Sequence, residues 1–203
     1  MSSVVSGVAQ PVAQSVAIGR GGLAAPPVGY GAAALGNLYR ALGDDEWPGI
    51  VPAAWAGGIR YFDVAPHYGL GLAERRLGES LRQLPRDEYI VSTKVGRLLV
   101  PQDAAGRTDI DNLFDVPADH RRVQDYSRDG VLRSIEQSLE RLGLDRIDIA
   151  LVHDPDAHER EALEGAFPAL SELRDQGVIT SFGAGMNQSA MLARFVRCLL
   201  YTS

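Results

Sequence analysis

The chain has 203 residues, 45% hydrophobic and 23% charged, enough to bury one core of domain size. A formal net charge of −6 with no compensating basic block argues against a general nucleic-acid or anionic-membrane binder. Cys198 is the sole cysteine, which excludes an intrachain disulfide, and no apolar run approaches the ~20 residues of a membrane span. The first basic residue, Arg20, comes too late for the charged start of a secretory signal, so a cytoplasmic protein is expected.

Taken in order, residues 1–18 are rich in Ser, Val, Ala and Gln without a period and are expected to be loose. Gly19, Gly21 and Gly22 read as a turn before an initial strand around Pro27 to Ala33. Asp44 to Ala56 reads as a helix with Asp44 or Asp45 as N-cap and Gly57 or Gly58 as its stop, although Pro48, Gly49 and Pro52 could delay its start to Pro52. Ile59 to Phe62 has the aromatic and β-branched character of a short buried strand, and it ends abruptly at Asp63. A helix from about Leu72 to Leu84 stops before Pro85. The strand Tyr89 to Val95 follows.

Gly96 to Tyr126 is a polar stretch far longer than an ordinary strand-to-helix connection, which suggests a lid over a site. Ser127 is positioned to cap an amphipathic helix with Leu132, Ile135, Leu139 and Leu142 on one face and Gly143 beyond its end. Ile147 to Val152 reads as another buried strand, ending in His153-Asp154-Pro155. Leu163, Phe167, Leu170 and Leu173 form one more apolar face, within which Pro168 either kinks a helix or marks its true start. A last strand, Thr180 to Ala184, runs into Gly185-Met186-Asn187, and Ser189 opens a final helix. Five strand–helix repeats argue for an α/β fold with a parallel sheet and right-handed crossovers, either closed as a barrel or open and doubly wound.

Two glycine pairs, Gly69-Leu70-Gly71 and Gly183-Ala184-Gly185, follow strands and precede helices as a dinucleotide fingerprint would. Glu74 and Gln188 stand where its third glycine belongs, and the strand after the first pair ends in Lys94 instead of an acid, so the glycines read as turn residues. The strand ends carry more information. Asp63 closes the second strand, Lys94 the third and His153 the fourth, while Asn187 lies just past the fifth and Tyr68 follows Asp63 by five residues. Each alone could be a cap or an ion pair. In a parallel barrel these ends converge on one face, where a lysine beside a carboxylate and a phenol would favour the phenolate and suit it to proton transfer. A metal site built from Asp63, His67, His153 and Asp154 is the chemical rival. No His-x-His pair stands at a strand end and a lysine beside a divalent ion would be unusual, so no metal is expected.

Phe62 to Gly69, Ser92-Thr93-Lys94 and Leu151-Val152-His153 together resemble the aldo-keto reductases, in order and spacing from about Val28 to Gln188. The Ala-Pro-His-Tyr-Gly-Leu-Gly-Leu run, Lys94 to Leu99 and Gly183 to Gln188 are similar to the family's aldose 1-dehydrogenase branch. The resemblance implies a (β/α)8 TIM barrel and NAD- or NADP-dependent oxidation of the C1 hydroxyl of an aldose to the lactone. It implies a catalytic set of Asp63, Tyr68, Lys94 and His153, with Asn187 and Gln188 toward the cofactor. Pyridoxal oxidation is the alternative within the class, and a non-catalytic binding subunit the alternative outside it.

Two departures accompany the resemblance. Val64 stands where a small polar residue is common. The chain also ends after about five strand–helix units, so residues 19–197 are expected to be part of a barrel. Residues 198–203 do not resemble family sequence and are read as a non-native tail. The expected partner is a small-molecule substrate, without nucleic acid or membrane; the oligomeric state and the choice between NAD and NADP stay open.

Overall fold

The structure, a computed structural model, describes residues 15–18 and 22–201. Its centre is a sheet of five parallel strands: β3 (Tyr30–Gly31), β4 (Tyr61–Asp63), β5 (Ile90–Val95), β8 (Ile149–His153) and β9 (Ser181–Gly185), neighbours in that order. A doubly wound sheet reverses its strand order at a switch point, whereas this order never reverses, as in the wall of a barrel. The connections carry α1 (Ile50–Ala56), α2 (Leu72–Leu81), α3 (Arg128–Leu142), α4 (Glu159–Glu161), α5 (Phe167–Asp175) and α6 (Ser189–Tyr201). A β-strand's side chains alternate between faces. Phe62, Val91, Val95, Ala150 and Val152 therefore join the helices in one buried core. The opposite face carries Tyr61 and Asp63 on β4 and Ser92 and Lys94 on β5.

Several local expectations are refined. Two residues of the expected strand at 27–33 are extended, and Ala32–Gly36 turns instead into a 3-10 helix. The helix expected over 44–56 starts at Ile50 after a 3-10 turn at Trp47–Gly49. Proline and glycine in that turn disfavour a regular start, and neither Asp44 nor Asp45 caps it. Ser127 does cap α3, accepting from the Gly130 N–H at 3.1 Å, and Gly143 ends it in the left-handed conformation. Pro168 sits in the first turn of α5, after a π-helical turn at Ala162–Ala166, so it marks a start.

Residues 1–14 of the segment expected to be loose lie outside the described residues, but β1 (Val16–Ile18) pairs antiparallel with β2 (Leu23–Ala25). The stretch Gly96 to Tyr126 is not structureless either. β6 (Arg97–Pro101) and β7 (His120–Gln124) form an antiparallel hairpin in full register from Arg97↔Gln124 to Pro101↔His120. No described helix is long and apolar enough to cross a membrane.

Behind β5, the fully buried Glu74 of α2 accepts from Thr93 Oγ1 at 2.8 Å and from Arg141 Nε of α3 at 2.6 Å. One carboxylate thus ties two helices to the residue next to Lys94. Removing one member of a buried ion pair leaves the other charge unpaired, at a cost of about 3–5 kcal/mol. Glu74→Ala is expected to lower unfolding stability by about that amount, and the double change Glu74→Leu with Arg141→Met by clearly less. Urea denaturation of both variants checks this; a Glu74→Ala loss under about 1 kcal/mol would refute the bridging role.

Candidate active site

The register of β4 on β5 places Asp63 beside Ser92, and Lys94 stands one step further along the same face. Lys94 Nζ donates to Asp63 Oδ2 at 2.6 Å, to the Tyr68 hydroxyl at 3.0 Å and to the Val64 carbonyl at 3.1 Å. These three acceptors match the three N–H donors of an ammonium. The other Asp63 oxygen accepts from Ser92 Oγ at 2.6 Å, and Tyr61 donates to that hydroxyl at 3.1 Å. Burial works against the charge on Lys94, yet the Asp63 carboxylate and the Tyr68 hydroxyl outweigh it and raise its pKa above the ordinary lysine value. The lysine is a fixed cation.

Tyr68 reaches Lys94 because of the turn that follows β4. Gly69, Leu70 and Gly71 are successively left-handed, at φ 59°, 51° and 83°. A Cβ on Gly69 would lie 2.2 Å from the Gly36 carbonyl oxygen, so the backbones of the two loops meet where no side chain fits. This contact accounts for Gly69, and a Cβ on Gly71 would meet Arg141 Cδ at 2.6 Å, so close packing of the turn accounts for both glycines.

His153 enters from the end of β8, its ring 6.1 Å from that of Tyr68 and nearly perpendicular to it. Burial, followed by the Arg97 and Lys94 cations, pushes its pKa down to about 2. Burial with Arg122 and Arg97 likewise pushes neighbouring His67 down to about 3. Both rings are therefore neutral near pH 7. His153 Nδ1 is buried without a hydrogen-bond partner, and Nε2 lies 3.5 Å from Asp154 Oδ2.

Asp63, Tyr68, Lys94 and His153 thus converge on one cleft of about 490 Å³, together with Asn187 just past β9. Gln188 does not line it; that side chain is exposed and its carbonyl accepts from the Leu192 N–H of α6. On the far side Leu113 and Phe114, from the long loop that joins β6 to β7, make an apolar wall. His67 packs edge-on against Phe114 at 5.5 Å. Among the described residues no group of three or more His, Cys, Asp or Glu side chains is arranged to hold a metal ion.

Three further residues hold this arrangement and carried no separate signal in the sequence. Arg97 Nη2 donates to Asp154 Oδ2 at 2.8 Å, bridging the end of β5 to the end of β8. Tyr126 donates to the His153 carbonyl at 2.7 Å, and a Cβ on Gly96, at φ 99°, would meet the Tyr126 ring at 2.2 Å. Arg122 on β7 holds Asp109 in a two-pronged ion pair and donates to the His67 carbonyl at 2.9 Å. Asp154, met above only as a rival metal ligand, belongs to Arg97.

Residues 27–195 match the aldo/keto reductase family. A D-threo-aldose 1-dehydrogenase from a Pseudomonas species is 54% identical over 179 residues, covering 87% of this chain and 54% of that protein. A pyridoxal 4-dehydrogenase from Microbacterium luteolum is 42% identical over 190 residues, covering 85% of this chain and 55% of that one. The chain spans about half the length of these curated relatives. A solved structure, an aldo-keto reductase from Pseudomonas aeruginosa, superposes with a TM-score of 0.68 at 30% identity, covering 90% of this chain and 63% of that one. The unreversed parallel strands are accordingly part of a (β/α)8 barrel wall, and the chain belongs to the aldo/keto reductase family.

Proposed function

We propose that this protein is a nicotinamide-dependent aldose 1-dehydrogenase, oxidising the C1 hydroxyl of a cyclic aldose to the lactone. The observation that carries the reading is the 3.0 Å contact between Lys94 Nζ and the Tyr68 hydroxyl, inside a cleft with one polar and one apolar wall. Identity of 54% to a D-threo-aldose 1-dehydrogenase supports the substrate class. Pyridoxal, also oxidised through a cyclic hemiacetal, is the second reading and rests on the lower identity of 42%. A binding subunit without catalysis would have no need to keep a buried ammonium aimed at a phenol.

The cleft fits a nicotinamide on the side of β9. Gly185 leaves the floor beside Lys94 free of side chain, since a Cβ there would meet Lys94 Cε at 3.1 Å, and Asn187 brings an amide to the same edge. Asn187 would hold the carboxamide, and NAD or NADP would supply, when bound, the acceptor for the hydrogen that leaves C1 with its electron pair. Tyr68 takes the C1 hydroxyl proton on its phenol oxygen, where the Lys94 ammonium stabilises the negative charge that accepts it. Asp63 keeps that ammonium in place. His153, held neutral, orients the C1 oxygen. The carboxylate of Asp154 beside Nε2 favours the tautomer with its proton on that nitrogen, and this N–H would turn to the C1 oxygen when substrate is bound. In carbonyl reduction the proton returns from Tyr68. We place the protein in the cytoplasm, as its composition suggests.

Cofactor reduction followed spectroscopically in the full-length protein, over a panel of aldoses and pyridoxal with NAD and NADP, tests the reading. Turnover of pyridoxal but no aldose would replace it with the second one. Tyr68→Phe is expected to lower kcat by ~10²–10⁴ while cofactor affinity stays within about twofold. Retention of more than about half the activity would remove Tyr68 from the proton path.

The neutral histidine also has a stability consequence. In the unfolded chain His153 titrates near 6.5, against about 2 in the native state, so between those values the unfolded chain binds the additional proton. Stability therefore falls as pH drops below about 6.5, by about 1.4 kcal/mol per unit from this residue. Thermal melts at pH 7 and pH 5 are expected to show a smaller acid loss for His153→Gln than for the parent, by about 2 kcal/mol. An equal loss in both would mean the imidazole is charged in the native state.

A further inference from the structure

Asp154 is one of six described non-glycine residues with positive φ, at 39°, and it follows His153 directly. An aspartate in this region is strained, and such strain persists only where the surroundings enforce it. Here they do. Its N–H donates to the Gly185 carbonyl at 3.0 Å, Tyr126 donates to its carbonyl at 3.2 Å, and Arg97 donates to Oδ2 at 2.8 Å. The result is a carboxylate that is about 30% exposed, lines the cleft, and stands 3.5 Å from His153 Nε2, the nitrogen assigned above to the substrate oxygen. Strand-end capping would not require its side chain to face the cleft.

We propose that Asp154 is a specificity-determining residue that accepts a hydrogen bond from the hydroxyl on the carbon next to C1, so that this site selects 2-hydroxylated aldoses over their 2-deoxy analogues. The inference rests on the aldose reading above and deepens it. With C1 oxygen held between Tyr68 and His153 Nε2, the position beside Nε2 is where the adjacent hydroxyl falls. Of the groups at that position, Asp154 presents acceptor oxygens. Arg97 occupies Oδ2, which fixes the carboxylate and leaves Oδ1 without a hydrogen-bond donor among the described residues. A rigid charged acceptor discriminates strongly, because a substrate lacking the hydroxyl strips water from the carboxylate and returns nothing. The apolar wall of Leu113 and Phe114 cannot make this distinction.

The test compares kcat/KM for an aldose and for its 2-deoxy analogue in the full-length protein. The unaltered protein is expected to prefer the aldose by roughly tenfold to a hundredfold, the range for a hydrogen bond to a charged group. Asp154→Asn is expected to shrink that ratio at least about fivefold through loss of the aldose rate. Since Arg97 would then face a weaker partner, the double change Arg97→Met with Asp154→Leu, which leaves no orphaned charge, is measured beside it and is expected to shrink the ratio as well. A parent protein indifferent to the 2-hydroxyl overturns the inference without any variant, as does an undiminished preference in either folded variant. Turnover of no aldose at all would instead sink the aldose reading, and this inference with it.

Discussion

The structure around the cleft depends on a buried ammonium. Moving a lysine out of water is costly unless every donor finds an acceptor and an opposite charge lies close by. Lys94, 6% exposed, meets both conditions through Asp63, Val64 and Tyr68, and each of these comes from β4 or the turn after it. The pair therefore fixes how β4 lies on β5. A slip of one residue would point Lys94 into the helices and Thr93 into the cleft, leaving Glu74 without its hydroxyl and Asp63 without its cation. Core packing of Phe62 and Val91 favours the same register, so the apolar and polar faces of the two strands agree.

Strand ends were the legible part of the site. Asp63 and His153 each follow a short apolar run and Lys94 stands near the end of a third strand, and a parallel sheet necessarily gathers such ends at one edge. Tyr68 was legible for a related reason, because the proline and glycines around it forbid a helix from starting before it. The supporting residues were not legible. Glu74 sits in the run Ala73-Glu74-Arg75-Arg76, which reads as a solvated helix face until α3 brings Arg141 over it. Tyr126 lies at the end of a long polar stretch, and nothing local says that its hydroxyl reaches the end of β8.

The β6–β7 hairpin was hidden by separation in sequence. Leu98, Leu99 and Val100 form a plausible strand, but the partner, with Val123 flanked by Arg121, Arg122 and Gln124, is polar and begins nearly twenty residues later. The hairpin's effect is to bring two arginines to the cleft, Arg97 against Asp154 and Arg122 against Asp109 and the His67 carbonyl. Non-glycine residues with positive φ gather at the same rim. Asn37 and Tyr39 on one loop face Leu113 on the other, joined by the Tyr39 N–H to the Leu113 carbonyl at 2.7 Å and by a bridge between Leu38 and Phe114. Such conformations cost of order 1–3 kcal/mol each and are maintained by the neighbouring structure. Here that structure includes a small apolar cluster of Leu70, Leu99, Phe114 and Val116, against which Leu38 packs.

The cation bonded to the Tyr68 hydroxyl also contributes to the neutral state of the histidine. Lys94 and Arg97 both act against protonation of His153, adding to the penalty of burial. Were that ring charged, a second cation would face the substrate oxygen from the side opposite Tyr68. It would then compete with Lys94 to stabilise negative charge, on the substrate instead of on the phenol. In the proposed oxidation the phenol must be the proton acceptor, so a neutral ring that only donates a hydrogen bond leaves the gradient of charge pointing toward Tyr68. Arg97 satisfies its own charge on Asp154, which lets it add to the field at His153 without entering the cleft as a free cation. Lys94 thus ties the register of β4 on β5 to the cleft and, together with burial and Arg97, helps to keep the nearby histidine neutral.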